Sequence, residues 1–148
     1  MAMDVPRRRA PLGPALNSHA LMHDVDMLLT PVPQSVTEVR RVARAAVSAP
    51  WSSDGVEVIA LCATELVANA IRYGRPPISF SLRAQPEAVT IEVTDTGDEL
   101  PTPRDPGPGD QHGRGLRIVE QLAEQWGVDR LPEGKRVWCR VTPASWDR

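Results

Sequence analysis

The chain has 148 residues, the size of one ordinary domain, and a net charge of -2. That charge argues against electrostatically driven nucleic-acid binding, and no uncharged apolar stretch approaches the ~20 residues that span a bilayer. Cys62 and Cys139 lie far apart, inside apolar stretches. We therefore expect buried, reduced thiols in a cytoplasmic protein, and the spacing of cysteines and histidines does not suit zinc.

Residues 1–23 are predicted to be a disordered leader, followed by one domain over 24–142 and a tail over 143–148. In the leader, Arg7, Arg8 and Arg9 stand among prolines, and polar residues interrupt the apolar run that a signal peptide needs. The domain is expected to open with a short strand over Val25–Leu29.

A first helix is predicted from Ser35, because Ser35-Val36-Thr37-Glu38 fits a capping box. Apolar residues then follow one arc of the helix, while Arg40, Arg41 and Arg44 occupy the opposite arc. This arginine face is either a solvated surface or a docking surface for an acidic partner.

A second helix is predicted from near Asp54 to Gly74, a glycine typical of left-handed helix ends. Most of this helix is apolar on all sides, which predicts deep burial. Its polar exceptions Glu65, Asn69 and Arg72 fall within about 60° of one another at ~100° per residue. They form either an internal hydrogen-bond network or a face that meets a polar ligand, since buried polar groups need partners.

The rest of the chain predicts two strands, a helix and two final strands. In order these are strands at 78–83 and 89–94, a Pro/Gly-rich loop over 98–112, a helix from 114 to 125 that Gly127 ends, and strands at 126–131 and 136–142. The order β-α-α-β-β-α-β-β predicts an α/β two-layer sandwich, with a mixed, mostly antiparallel sheet and helices on one face.

Two further motifs stand at the ends of these elements. Asp95 has the strand parity of Val93, so it points to the buried face, either as a turn cap or as an acceptor for an exocyclic amine such as that of adenine. The run Gly113-Arg114-Gly115-Leu116 leads into a helix. It is either a glycine-rich helix entry or a cradle of backbone amides for phosphate.

The order of these motifs resembles the GHKL ATPase superfamily, which has the Bergerat fold. The closest similarity is to its anti-sigma-factor serine/threonine kinase branch and to the short actinobacterial members of that branch. The resemblance covers about residues 24–142. It is carried by Glu65–Gly74, Asp95–Gly97, Gly113–Val119, Trp126–Val128 and Gly134–Trp138.

The resemblance implies a role for each motif residue. Glu65 is expected to act as general base, Asn69 to bind the Mg²⁺ that bridges ATP phosphates, and Asp95 to bind the adenine amine, with Gly97 giving the base room. The remaining nucleotide-binding residues that it implies lie around the phosphates: Arg72, Gly113, Arg114, Gly115 and Leu116.

The resemblance also implies a function and its partners. The expected protein binds ATP and Mg²⁺, sequesters a sigma factor, and phosphorylates a serine of an anti-anti-sigma protein of the STAS type; relatives commonly form homodimers. Glu99 stands where many members of the superfamily have a glycine, and it is expected to crowd the nucleotide pocket or repel the phosphates. Arg136 stands where relatives often have a threonine, which puts one water-mediated nucleotide contact in doubt. These departures are expected to weaken catalysis more than nucleotide binding. The alternative is therefore a non-catalytic interaction module with a degenerate nucleotide site. The ATPase half of a histidine kinase ranks lower, because no phosphoacceptor-histidine hairpin is evident.

Overall fold

The computed structural model describes residues 23–47, 50–101 and 115–146. Residues 1–22 of the predicted leader over 1–23, and the part of the predicted loop from 102 onward, lie outside these residues, while His23 belongs to the first strand. The described elements are β1 (His23–Leu29), α1 (Pro33–Ala46), α2 (Ser53–Tyr73), β2 (Ile78–Ala84), β3 (Val89–Asp95), α3 (Gly115–Leu122), β4 (Gln125–Leu131), β5 (Gly134–Val141) and α4 (Pro143–Trp146).

The described strands form one sheet in the order β1-β2-β3-β5-β4, and each neighbouring pair is antiparallel. Two helices connect β1 to β2, which returns antiparallel to it. β3 is connected to β4 through the single helix α3, and β4 runs in the same direction as β3. These two strands are not neighbours, because β5 lies between them. The predicted α/β two-layer sandwich is confirmed, while the parallel pairing implied by a mixed sheet is absent among these strands.

The core lies between one face of the sheet and the helices. Alternate residues of the strands point into it, and α2 supplies a nearly continuous set of buried side chains that includes Ile59, Cys62 and Leu66. Such a helix forms because it packs against the sheet and against both α1 and α3. The polar residues of α2 are therefore held in fixed positions. No helix of the described residues combines the length and apolarity needed to cross a membrane.

The first helix begins two residues earlier than predicted, at Pro33. The fixed backbone angle of proline suits the first helical position, where its missing N–H is not needed. Ser35 Oγ donates to the Thr30 carbonyl at 2.6 Å, and Glu38 pairs with Arg41 at 2.6 Å. The predicted capping box is therefore wrong, because both side chains have other partners.

The second helix ends at Gly74, but not in the predicted left-handed conformation. Its φ of -90° is open to any residue. Glycine is needed for space: an added Cβ would lie 2.6 Å from Cγ of Asp95 and 2.7 Å from the Ala70 carbonyl oxygen. The missing side chain lets the end of α2 contact the end of β3.

The C-terminal elements differ from prediction at two places. α3 ends at Leu122, and Gly127, predicted to end it, lies inside β4, where an added Cβ would come within 2.8 Å of the Trp138 ring. The sequence predicts a tail over 143–148, yet 143–146 form α4. Ser145 is buried and its Oγ donates to the Leu122 carbonyl at 2.7 Å, which ties α4 to α3.

Candidate functional site

The polar residues of α2 meet two other motifs at one end of the molecule. Asn69 lines a small cavity together with Asp95 from the end of β3. One helical turn earlier, Glu65 is half-buried, and its Oε2 would lie 2.8 Å from a Cβ added to Gly115, the first residue of α3. The structure therefore brings the helical acid–amide pair, the strand-end aspartate and the entry of α3 together.

Asp95 is buried, on the face that strand parity predicts. Its Oδ1 accepts hydrogen bonds from the backbone N–H groups of Gly97 at 2.7 Å and Arg75 at 3.2 Å, and from Lys135 Nζ at 2.9 Å. Within the described residues no donor reaches Oδ2. Asp95 is therefore fixed through one oxygen, while its other oxygen remains open to a ligand.

Lys135 is a cavity residue that the sequence motifs did not identify. It is the cross-strand partner of Asp95, is 2% exposed and lines the cavity. A signal was present in the sequence, since Lys135 has the parity of the buried Val137 and Cys139 in β5. A lone lysine beside a turn glycine is ordinarily solvated, so parity alone did not distinguish it.

Arg136, where the sequence predicts a disturbed nucleotide contact, belongs to the opposite face of the sheet. Its guanidinium pairs with Asp129 of β4 at 3.1 Å. Strand alternation places neighbouring residues on opposite faces, so Arg136 does not line this cavity. Its presence gives no reason to expect a defective site there.

The carboxyl group of Glu65 has an altered acidity. Burial raises its pKa above the ordinary value of 4.5, and the positive charge of Arg40 opposes that shift. Burial disfavours the charged form of a carboxyl group because it removes hydrating water. A carboxylate with a raised pKa is a better proton acceptor, which suits a general base.

The cavity itself is nearly closed. Its volume is about 20 Å³, enough for one water molecule but not for a nucleobase. Leu100 and Pro101 form part of its wall, and Leu100 also packs against the hydrophobic core. Glu99, the expected obstruction, is an exposed residue at the cavity lining. In this conformation the described walls therefore leave too little space for a base, and we expect its entry to require an outward movement of Leu100 and Pro101.

The other predicted site residues differ in their burial and in their distance from the cavity. Gly97 is buried, and an added Cβ would lie 2.9 Å from Asp95 Oδ1, so glycine is needed there for Asp95 itself. Leu116 is buried in the core, and Arg72 is exposed with its guanidinium carbon 5.9 Å from the Tyr73 ring centre. Gly113 and Arg114 lie outside the described residues.

The two cysteines are buried, unpaired thiols. A hydrogen bond with Cys62, together with burial, raises the pKa of the Cys139 thiol well above its ordinary value. Because the thiolate is the reactive form, a raised pKa makes a thiol less nucleophilic. Cys139 is therefore a core residue rather than a candidate nucleophile.

Asn69 fits the chemistry of a magnesium ligand. A carboxamide oxygen is a hard donor, and Mg²⁺ in nucleotide sites is usually held by one or two protein oxygens, phosphates and water. The described residues hold no group of three or more His, Cys, Asp or Glu side chains that would bind a metal without a nucleotide. This donor set fits a metal that arrives with phosphates.

The fold and the site together define a domain of the GHKL ATPase type, with an acid–amide helix packed on an antiparallel sheet beside an inward aspartate. A family model described as a histidine kinase-like ATPase domain matches residues 29–141. The chain belongs to this family, and membership supports ATP binding. No curated protein is significantly similar to it.

Proposed function

We propose that this protein is an ATP-binding anti-sigma regulator with serine/threonine kinase activity. Its substrate would be a serine of an anti-anti-sigma protein of the STAS type, and its sequestered partner a sigma factor. The proposal adds the reaction and the partners to the ATP binding that the family supports.

One observation carries the proposal: Glu65 and Asn69 lie one turn apart on a buried helix, between the entry of α3 and the cavity of Asp95. Phosphoryl transfer depends on positioning, on charge neutralisation and on a base near the acceptor hydroxyl. A helix packed against the sheet and two other helices holds a base and a metal ligand at a fixed separation. If Glu65 and Asn69 only stabilised the fold, they would not need to face both a cavity and the N-terminus of a helix.

Each residue has a distinct part in the proposed reaction. Glu65 would take the proton of the serine hydroxyl while the serine oxygen bonds to the γ-phosphorus of ATP and ADP leaves, and the raised pKa of Glu65 supports that step. Asn69 would hold Mg²⁺, and such an ion would neutralise charge on the ATP phosphates. Asp95 accepts a hydrogen bond from the base and fixes the nucleotide, and the backbone at Gly115 approaches the phosphates.

The test combines nucleotide binding with phosphate transfer. We expect titration calorimetry to show Mg-ATP binding to the full chain, and radiolabelled ATP to phosphorylate a candidate STAS partner on serine. Asn69→Ala should abolish binding, while Glu65→Gln should retain binding and lower transfer by about a hundredfold or more, the contribution of a general base.

Leu61→Ala is the matched control, because Leu61 lies on the same helix with 39% of its surface exposed, away from the cavity. It should bind and transfer as the wild type does. A folded wild-type protein that binds no ATP would refute the proposal.

The second candidate function is a non-catalytic interaction module. The observation that favours it is the closed cavity, where Leu100 and Pro101 leave room for one water molecule only. In that case the fold would bind its partner without nucleotide. Complex formation with a partner in the absence of ATP binding, and without phosphoserine, would support the module.

A further inference from the structure

We propose that residues 1–22 of the leader dock across the outer face of the sheet, which is the face opposite the helices. In this proposal the apolar run Pro11–Leu16 fills a groove beside Leu28, and the three arginines at 7–9 lie toward the other end of that groove. The leader sequence has no hydrophobic periodicity of its own, so its order would come from contact with the domain. This docking depends on neither ATP binding nor kinase activity.

The first argument is an apolar groove on the outer face. Leu28, Ser79 and Thr94 are cross-strand neighbours on this face and line the groove, and Leu131 and Pro132 of the β4–β5 turn form its far wall. Its volume is about 530 Å³, and Leu28 is 76% exposed at its edge. The hydroxyl groups of Ser79 and Thr94 hydrogen-bond to each other. An occupant therefore gains mainly by burying apolar surface.

The second argument is Trp138, which lies on the outer face and is nevertheless 0% exposed. Its strand neighbours Val137 and Cys139 belong to the core between the sheet and the helices, whereas Trp138 does not. Its indole Nε1 is also buried, and no described residue accepts a hydrogen bond from it. A segment of backbone laid over this face would both cover the ring and supply an acceptor. The segment 102–114 starts and ends on the helix side, beside Pro101 and Gly115, so the leader is the better candidate.

The third argument is the point where the leader joins the sheet. It enters the edge strand β1 at His23, and Leu28 lies ~17 Å further along that strand at ~3.3 Å per residue. Leu16 precedes His23 by seven residues, which extend over as much as ~24 Å. From β1 to β5 the groove crosses three strand spacings, ~14 Å, and the seven residues from Leu16 back to Arg9 can span that distance as well. The apolar run and the arginines can therefore reach opposite ends of the groove.

The fourth argument is charge complementarity. Residues 1–22 carry three consecutive arginines and a single acidic residue. On the outer face, Arg83 is shared between Asp24 and Asp26, at 3.9 and 3.1 Å. Glu133 lines the groove and has no ion-pair partner among the described residues. Because exposed ion pairs are individually weak, the arginines would orient the leader while the apolar run holds it.

The test is photo-crosslinking within the full chain. The photoreactive amino acid p-benzoylphenylalanine replaces Leu28 in one variant and Pro132, an exposed residue at the far wall, in another. Mass spectrometry then identifies the crosslinked peptides. We expect position 28 to crosslink to Pro11–Leu16 and position 132 to residues nearer the arginines. A mixture of ¹⁴N- and ¹⁵N-labelled chains distinguishes crosslinks within one chain from crosslinks between two copies.

The matched control carries the same photoreactive group at Leu61, which is 39% exposed on the helix side of the molecule. Its crosslinks to residues 1–22 should be several-fold fewer than those from position 28. Combining Arg7→Glu, Arg8→Glu and Arg9→Glu should lower the yield from position 132 several-fold. A salt concentration of 1 M should do the same, because it shortens the screening length to ~3 Å. Thermal unfolding establishes that each variant is folded, and either groove position alone can decide the matter.

Three results would overturn the docking of the leader. Equal yields from positions 28 and 61 would mean that the leader contacts the domain at random. Crosslinks from position 28 to a second copy would mean that another chain occupies the groove. Failure of both groove positions to crosslink to residues 1–22 would mean that the leader lies elsewhere. None of these results changes the expectation for ATP binding, so the proposed function is tested separately.

Discussion

Asp95 limits the side chains that can occupy the positions around it. Gly74 and Gly97 both lack a side chain where Asp95 lies, and Lys135 pairs with its Oδ1. Gly134 adds a backbone constraint, because it opens β5 with a φ of +141° and an added Cβ would lie 2.0 Å from the Asp95 carbonyl oxygen. Asp95 therefore limits, through its carboxylate and its backbone carbonyl, which residues can surround it.

Substitution of Gly134 should be strongly destabilising. In Gly134→Ala the methyl group would both disfavour the positive φ and collide with backbone of β3. We expect a loss of about 2 kcal/mol or more in the free energy of unfolding, measured by urea denaturation. Glu133→Ala, an exposed change in the same turn, should stay within about 0.5 kcal/mol of wild type. Equal stability of the two variants would contradict the close approach of Gly134 to the Asp95 backbone.

Glu65→Gln should stabilise the protein while it removes the base. The folded-state pKa of Glu65 is raised by burial, so the carboxyl group contributes stability below its unfolded pKa and loses that contribution as pH rises through the folded value. At pH 7 the charge therefore destabilises the fold. Neutral glutamine should raise the melting temperature at pH 7 on the order of 1–3 °C, since the group is only half-buried and solvent screens it.

The pH dependence of melting separates this cause from a general packing effect. The gain of Glu65→Gln should shrink toward zero as pH falls below the ordinary carboxyl pKa of 4.5, because Glu65 is then protonated in both the folded and the unfolded state. Glu57→Gln on the exposed surface of the same helix is the control and should show no such gain. A gain that stays constant across this pH range would contradict burial of the charge as its source.

At the scale of elements, hydrophobic periodicity predicted the helices and strands, but not all of their ends. Alternation over 89–94 located β3 and the inward direction of Asp95, because strand parity depends only on local geometry. The predicted start of α1 and the predicted role of Gly127 were wrong. Ser35 bonds to Thr30, and Gly127 makes room for Trp138 of a different strand. Local sequence signals could not reveal these tertiary partners.

The segment after β3 should control entry to the cavity. Leu100 contributes to its wall and packs on the core, so Leu100→Ala removes contacts that hold the segment in place. We expect the association rate of a fluorescent ATP analogue to rise several-fold in stopped-flow measurements, because opening no longer opposes entry as strongly. Leu28→Ala is the control, since Leu28 is 76% exposed and lies away from this cavity. An unchanged rate in Leu100→Ala would mean that this segment does not limit entry.

At the scale of the whole molecule, the candidate site is assembled from parts that are distant in sequence. α2 supplies Asn69, β3 supplies Asp95 and β5 supplies Lys135, and only the completed sheet brings the last two together. The motifs predicted the first two residues through the family resemblance. The Lys135 pair and the small volume of the cavity depend on packing between elements, which periodicity does not specify.

Because the site joins the helix layer to the sheet, nucleotide binding should stabilise the molecule as a unit. A ligand that binds only the folded state raises the free energy of unfolding by RT ln(1 + [L]/Kd), about 2.7 kcal/mol at a hundred times Kd. For a chain of this size that corresponds to a rise of about 5–10 °C in melting temperature.

The closed cavity makes the apparent Kd weaker than the intrinsic one, since part of the binding energy opens the segment of Leu100 and Pro101. Saturating Mg-ATP should therefore raise the melting temperature of wild type in a concentration-dependent way, raise it at lower concentrations in Leu100→Ala, and leave Asn69→Ala unchanged. A shift in Asn69→Ala equal to that of wild type would mean that the nucleotide stabilises the protein from somewhere other than this cavity.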